Sequence, residues 1–122
     1  MSAGAGAWTV RLASAAEADF EAILLWTLEQ FGDAQTRVHS DILSAAVQAL
    51  IGGPEQPGIT ARPEIGKDLF TLHVARSGRR GRHFVLFRAE ADSVNRQIEV
   101  LRILHDSMDL ARHVPEDECI RQ

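Results

Sequence analysis

Two helical segments separated by a single glycine constrain the fold of this chain more than any other feature. Ser14 and Glu17 have the spacing of a capping box, which predicts the start of the first helix. Gly32 predicts its end. Between them, apolar side chains recur at steps of three and four residues and predict one core-facing stripe, made of Phe20, Ile23, Leu24, Thr27, Leu28 and Phe31.

The second segment continues the helical period after almost no loop. Asp33 is suited to cap this helix, and the sequence Gly52-Gly53-Pro54 ends it. Its predicted core-facing positions are Val38, Ile42, Ala45, Ala46, Ala49 and Leu50. So short a connection predicts that the two helices form an antiparallel hairpin.

Strand-like segments lie on both sides of this hairpin. Residues 8–12 alternate apolar and polar side chains, which predicts a half-buried strand with Trp8, Val10 and Leu12 on one face. After the hairpin, residues 52–67 contain three prolines and four glycines, and we predict a surface loop there.

Three more strands are predicted at residues 69–76, 83–89 and 97–105. The first of them places Phe70, Leu72 and Val74 on one face, and a turn at residues 77–81 joins it to the second. The unbroken apolar run at residues 84–87 is typical of a central strand covered on both faces. The expected fold is therefore α+β: an N-terminal strand, an antiparallel two-helix hairpin packed on one face, a three-stranded antiparallel meander and a short C-terminal helix.

Length and composition indicate one domain, since 122 residues with 45% hydrophobic content can bury a single core. We expect a flexible tail at residues 1–7, the domain at residues 8–114 and a polar tail at residues 115–122. No apolar run approaches the roughly 20 residues that span a bilayer, and the N-terminus lacks the features of a secretion signal. A cytoplasmic protein is expected. Cys119 has no second cysteine for an internal disulfide.

Charge is segregated along the chain. Residues 1–60 contain Arg11 and Arg37 against seven acidic residues, whereas residues 62–88 contain seven basic residues against Glu64 and Asp68. A basic region of this kind favours nucleic acid or an acidic protein segment as partner. The alternative interpretation is a solvated hairpin without a partner.

The chain resembles the ParE toxins of the RelE/ParE superfamily over residues 8–114. The likeness is carried by Ala18-Asp-Phe-Glu-Ala-Ile23, Glu29-Gln-Phe-Gly32, Arg62-Pro-Glu-Ile-Gly66, Leu72-His-Val74, Val100-Leu-Arg-Ile-Leu-His105 and Met108-Asp-Leu-Ala-Arg112. It implies a RelE/ParE-like fold and the toxin of a bacterial type II toxin–antitoxin module. The implied partners are an antitoxin encoded next to the toxin, in a hetero-oligomer, and DNA gyrase as the target, with no direct DNA binding by the toxin alone.

The superfamily leaves a second activity open, because RelE-like members cleave messenger RNA in the ribosome. In that alternative Arg82, Arg102 and His105 would supply the proton transfers and the phosphate-binding charges. RelE-like nucleases have clustered basic residues and a late tyrosine, whereas this chain has no tyrosine and only one lysine, Lys67. We therefore predict no catalytic residue. A non-toxic, degenerate family member is the third possibility.

Binding residues are predicted instead. Leu25 and Trp26 lie off the core stripe, and Phe70 stands where related chains commonly carry arginine, so these three are expected to bind the antitoxin. The expected target-binding residues are Arg76, Arg79, Arg80, Arg82, Arg102, His105, Met108 and Arg112. For Arg102 the alternative is an ion pair with Glu99, Asp106 or Asp109.

The five histidines show no paired ligand spacing, so no metal is expected, and no cofactor is implied. These histidines are His39, His73, His83, His105 and His113.

Overall fold

The computed structural model describes residues 8–75, 81–91 and 95–105, which form two helices and a five-stranded mixed sheet. This confirms the α+β class. In chain order the elements are β1 (Thr9–Leu12), α1 (Ser14–Phe31), α2 (Asp33–Ala49), a 3₁₀ turn (Leu50–Gly52), β2 (Ile59–Ala61), β3 (Leu69–His73), β4 (His83–Ala91) and β5 (Arg96–His105).

The strand order is β1-β5-β4-β3-β2. The predicted meander is confirmed for β3, β4 and β5, which pair antiparallel. β1 joins this sheet by pairing parallel to β5, with Thr9 opposite Gln97 and Leu12 opposite Val100. The residues of this pair lie almost ninety positions apart, so no local pattern specifies it. The predicted short C-terminal helix lies outside the described residues.

The region predicted to be only a surface loop contains a strand. In β2, Ile59 pairs with Leu72 and Ala61 with Phe70, so this segment extends the sheet at the β3 edge. The prediction was wrong here because the prolines and glycines lie on both sides of Ile59–Ala61 and not within it. Three residues are also too few to show a two-residue period.

Neither helix begins with the predicted side-chain cap. Ala13 precedes α1, and its N–H still donates to the Val100 carbonyl at 2.8 Å, so β-sheet pairing continues up to the first residue of the helix. Ser14 therefore lies inside α1. At α2, Gly32 with φ of 88° takes the capping position instead of Asp33, and the N–H of Thr36 donates to its carbonyl at 3.1 Å.

The core stripe of α1 differs from the predicted one at its C-terminal end. Ala16 and Thr27 are buried, whereas Leu28 is 42% and Phe31 is 63% exposed. Adjacent helical residues point about 100° apart, so burial of Thr27 turns Leu28 away from the core. Phe31 packs its ring against Trp26 instead, with the ring centroids 5.7 Å apart. In α2 the buried positions are Ile42, Leu43 and Ala46, and Val38 is exposed.

The sheet has apolar side chains on both faces, as the run at residues 84–87 predicted. Val85 and Phe87 belong to the main core between the sheet and the helices. Leu86 belongs to a second cluster on the opposite face, with Ile65, Leu69, Leu101 and Leu104. The register of the β4–β5 pair shifts between Leu86 and Phe87. Leu86 pairs with Arg102 and Phe87 with Val100, so Leu101 is an extra residue in β5, as in a β-bulge.

No helix in the described part of the chain is long and apolar enough to cross a membrane.

Candidate protein-binding groove

A groove of about 720 Å³ opens between α1 and the C-terminal end of β5. Its exposed lining is mostly apolar, although charged and imidazole groups contribute to it. The lining residues come from both helices, from the start of β4 and from the end of β5: Asp19, Ala22, Ile23, Trp26, Phe31, His39, Gly81, Arg82, His83, Arg102, Ile103, Leu104 and His105.

One wall is held in place by an ion pair between helix and strand. Arg102 donates from Nε to Oδ2 of Asp19 at 2.7 Å and from Nη2 to Oδ1 at 2.9 Å. Oδ2 also accepts the backbone N–H of Ile103 at 2.9 Å. β1 pairs with β5 only as far as Val100, so the Asp19 carboxylate binds β5 just beyond the point where β1 ends.

The ion pair favours the charged form of Arg102. The hydrogen bonds that Arg102 donates to Asp19 raise the pKa of its guanidinium above the ordinary value, against the opposing effect of partial burial. Because Nε and Nη2 already donate to Asp19, Arg102 ties α1 to β5 and has fewer donors left for a bound molecule.

Three histidines of the groove lining lie next to one another. His83 and His105 are register partners on neighbouring strands, and their ring centroids are 5.5 Å apart. His39 of α2 lies 6.3 Å from His83. The Nδ1 atom of His39 is buried and has no hydrogen-bond partner among the described residues. Within those residues no group of three histidine, cysteine or acidic side chains is arranged to hold a metal ion.

The helical hairpin beside the groove exposes several apolar side chains, of which Trp26 and Phe31 line the groove. Leu25 is 58% and Trp26 is 55% exposed, as the sequence predicted for residues off the core stripe. The helical hairpin carries five of the six large apolar side chains that are exposed in the described part of the chain, namely Leu25, Trp26, Leu28, Phe31 and Val38. Exposed apolar side chains concentrated on one hairpin are typical of an interaction site.

The structure brings several of the predicted site residues together. Arg82, Arg102 and His105 line the groove beside Trp26. Phe70 does not: it lies on β3, half-buried, and stacks on Phe87 with ring centroids 5.6 Å apart. The remaining predicted residues lie outside the described residues: Arg76, Arg79, Arg80, Met108 and Arg112.

The alternative partner Glu99 was wrong for Arg102. Glu99 accepts hydrogen bonds from Arg11 at 3.0 Å and Arg88 at 3.2 Å, while Arg102 binds Asp19. The other two suggested partners, Asp106 and Asp109, lie outside the described residues.

Three polar or aromatic groove residues on the helices were not predicted as site residues from the sequence. Asp19, Phe31 and His39 come from the helices, and nothing local relates them to strand residues more than forty positions away. Phe31 was assigned to the core because it fits the helical period. His83 was recognisable from the antiparallel pairing of β4 and β5, which places it opposite His105.

Comparison with known proteins gives one family. The model of the ParE toxin of type II toxin–antitoxin system, parDE, matches residues 10–110. No curated protein sequence matches significantly. Among solved structures, a chain of the chromosomal ParDE TA system from P. aeruginosa is similar with a TM-score of 0.63 at 20% sequence identity, covering 82% of this chain and 97% of that chain.

Proposed function

Since this chain belongs to the ParE toxin family of type II toxin–antitoxin systems, we propose that it is a cytoplasmic toxin that poisons DNA gyrase by binding it. An antitoxin encoded next to it restrains the toxin in a hetero-oligomer. The match of the family model over residues 10–110 is the observation that carries this proposal. The arrangement of the groove supports a binding role over bond-breaking chemistry.

The exposed apolar side chains of the helical hairpin support the antitoxin part of the proposal. A disordered antitoxin segment that folds on binding would place apolar side chains over Leu25, Trp26 and Phe31. Exposed tryptophan is among the residues that contribute most to binding free energy when a partner covers it. Phe70 is half-buried and sits away from the groove, so it would take part only through a separate contact on β3.

The basic end of the groove supports contact with a target protein. Arg82 is exposed, and His105 lines the same groove at the end of β5. We assign target contact to these two residues, to the arginines at positions 76, 79 and 80, and to Met108 and Arg112. Arg102 would contribute by holding the wall through Asp19.

The target is tested by two assays run in parallel. Purified toxin is added to a gyrase supercoiling reaction and to a translation-dependent messenger RNA cleavage reaction. We expect loss of supercoiling and accumulation of cleaved DNA, with messenger RNA intact. Activity only in the second assay would replace the gyrase proposal with the ribonuclease alternative, and failure of induced expression to slow growth would favour a non-toxic family member.

Variants connect the target assay to the groove. Replacing Arg82 and His105 together by alanine should reduce gyrase inhibition at least tenfold, because it removes the exposed charge and the imidazole at the basic end. Arg96 to alanine is the matched control, since Arg96 is an exposed arginine at the opposite end of β5. Equal inhibition by both variants would show that this end of the groove does not contact the target.

The antitoxin is tested by co-purification with the product of the adjacent reading frame. Leu25→Ser/Trp26→Ser should abolish co-purification, because both side chains are more than half exposed and would lie in the interface. Ile51→Ser is the matched control: Ile51 is 47% exposed but lies in the 3₁₀ turn, away from the groove. Loss of binding in the control alone would place the antitoxin elsewhere.

A further inference from the structure

The outer face of α1 combines exposed apolar side chains with charges of one sign. The helix contains Glu17, Asp19, Glu21 and Glu29 and no basic residue. Asp19 is engaged by Arg102. The other three are exposed, and none forms an ion pair with another described residue. On α1 itself, therefore, every charged side chain beside the exposed apolar residues is a carboxylate.

The carboxylates are placed in register with the exposed apolar residues. Glu21 and Glu29 lie four residues before and after Leu25, so all three project from the same face, with one helical turn between neighbours. Ala18 and Ala22 complete this face with small side chains, which let another helix approach closely. A partner lying over Leu25 would therefore pass both carboxylates.

Glu29 adds a second argument. It lies in the last turn of α1, where the negative end of the helix dipole disfavours an anion, and α1 has no basic residue there. In α2 the one basic residue is Arg37, which stands one turn from both Asp33 and Asp41. The carboxylate of Glu29 is thus unfavourably placed at the end of α1, and a cation from a partner would offset this effect.

We propose that the occupant of this face is an amphipathic helix whose apolar stripe is flanked by lysine or arginine side chains. This rests on the proposed function, because the occupant is taken to be a segment of the antitoxin. The choice follows from charge complementarity: apolar residues would cover Leu25 and Trp26 while basic residues pair with Glu21 and Glu29. A second copy of this chain bound through the same face would bring like charges together, and nucleic acid would be repelled by the same carboxylates.

The test measures binding of the adjacent reading frame's product to the full chain and to two charge-reversed variants. Glu21→Lys/Glu29→Lys reverses the proposed contact charges. Glu64→Lys/Glu90→Lys makes the same change in net charge on residues of the loop and β4, outside the hairpin. Thermal unfolding of each variant checks that it folds. We expect both variants to fold, because all four side chains are exposed.

We expect the first variant to bind about tenfold more weakly at low salt and the control to bind within about twofold of the unaltered chain. The difference should shrink as salt shortens the Debye length from about 30 Å to about 8 Å. Changing lysines or arginines of the bound antitoxin segment to glutamate should restore binding to the first variant.

Equal or tighter binding by Glu21→Lys/Glu29→Lys would overturn the inference while leaving the antitoxin proposal intact. Self-association of the unaltered chain that is abolished by Leu25→Ser/Trp26→Ser would also overturn it, in favour of a second copy. If the unaltered chain does not bind the adjacent product at all, the proposed antitoxin interaction fails, and the inference fails with it.

Discussion

Breaking the pair between Asp19 and Arg102 should destabilise the protein by detaching α1 from β5. Asp19→Ala removes three hydrogen bonds at once, from Arg102 Nε, from Arg102 Nη2 and from the Ile103 N–H. It also removes the counter-ion of Arg102, whose side chain is only 26% exposed. The loss is therefore expected to exceed that of an ordinary surface ion pair.

The magnitude follows from the burial of the two side chains. Fully buried pairs lose about 3–5 kcal/mol when one partner is removed, and exposed pairs about 0–1 kcal/mol. With exposures of 26% for Arg102 and 16% for Asp19, the pair lies between these limits. We expect Asp19→Ala to lower the free energy of unfolding by about 2–3 kcal/mol, which places the thermal midpoint about 8–12 °C lower.

A double-mutant cycle measures the pair itself. Urea unfolding, followed by tryptophan fluorescence, is recorded for Asp19→Ala, Arg102→Ala and the double variant, and the expected coupling free energy is about 2 kcal/mol. Arg102→Ala loses the aliphatic packing of Arg102, and Asp19→Ala loses the Ile103 hydrogen bond. The double variant has both losses, so the cycle cancels them. Arg11→Ala is the control, since its pair with Glu99 at 3.0 Å has an arginine that is 74% exposed.

On the alkaline side, the pH dependence of this coupling is set by the pKa of Arg102. A cation whose pKa is raised in the folded state contributes stability that is fully present below its unfolded-state pKa and is lost only as the pH rises through the folded-state pKa. For a guanidinium both values lie above the pH of any such measurement. The coupling should thus be the same at about pH 7 and about pH 9.5. A coupling below about 0.5 kcal/mol, or one no larger than the Arg11 effect, would refute the role assigned to the pair.

Four further substitutions to alanine, in two pairs, test the packing. Gly53→Ala should cost about 2 kcal/mol or more, because φ is 96° and the new Cβ would lie 2.6 Å from Trp8 Nε1; Gly32→Ala, with φ of 88° and no atom within 4 Å, should cost only about 1 kcal/mol. Phe87→Ala should cost about 3–5 kcal/mol since the ring is fully buried, and the half-buried Phe70 should cost less. All are read from urea unfolding midpoints, and equal losses within either pair would contradict the packing described.

The candidate site was predictable only in its strand residues and its exposed apolar side chains. Arg82, Arg102 and His105 follow from their positions near strand ends, and Leu25 and Trp26 from being off the helical stripe. Their assembly into one groove was not predictable, because it depends on where α1 lies across β5. That position is fixed by Asp19 and by apolar contacts that no spacing along the chain reveals.

The sequence by itself determined the helical hairpin, the three strands of the meander and the family. These depend on repeats of 3.6 and 2 residues, on Gly32 and on motifs of neighbouring residues, all of which are local. Tertiary structure decided that β5 lies between β1 and β4, that Ile59–Ala61 becomes a strand and that Arg102 binds Asp19. Each of these joins residues distant in sequence, where the choice depends on what packs and pairs in three dimensions.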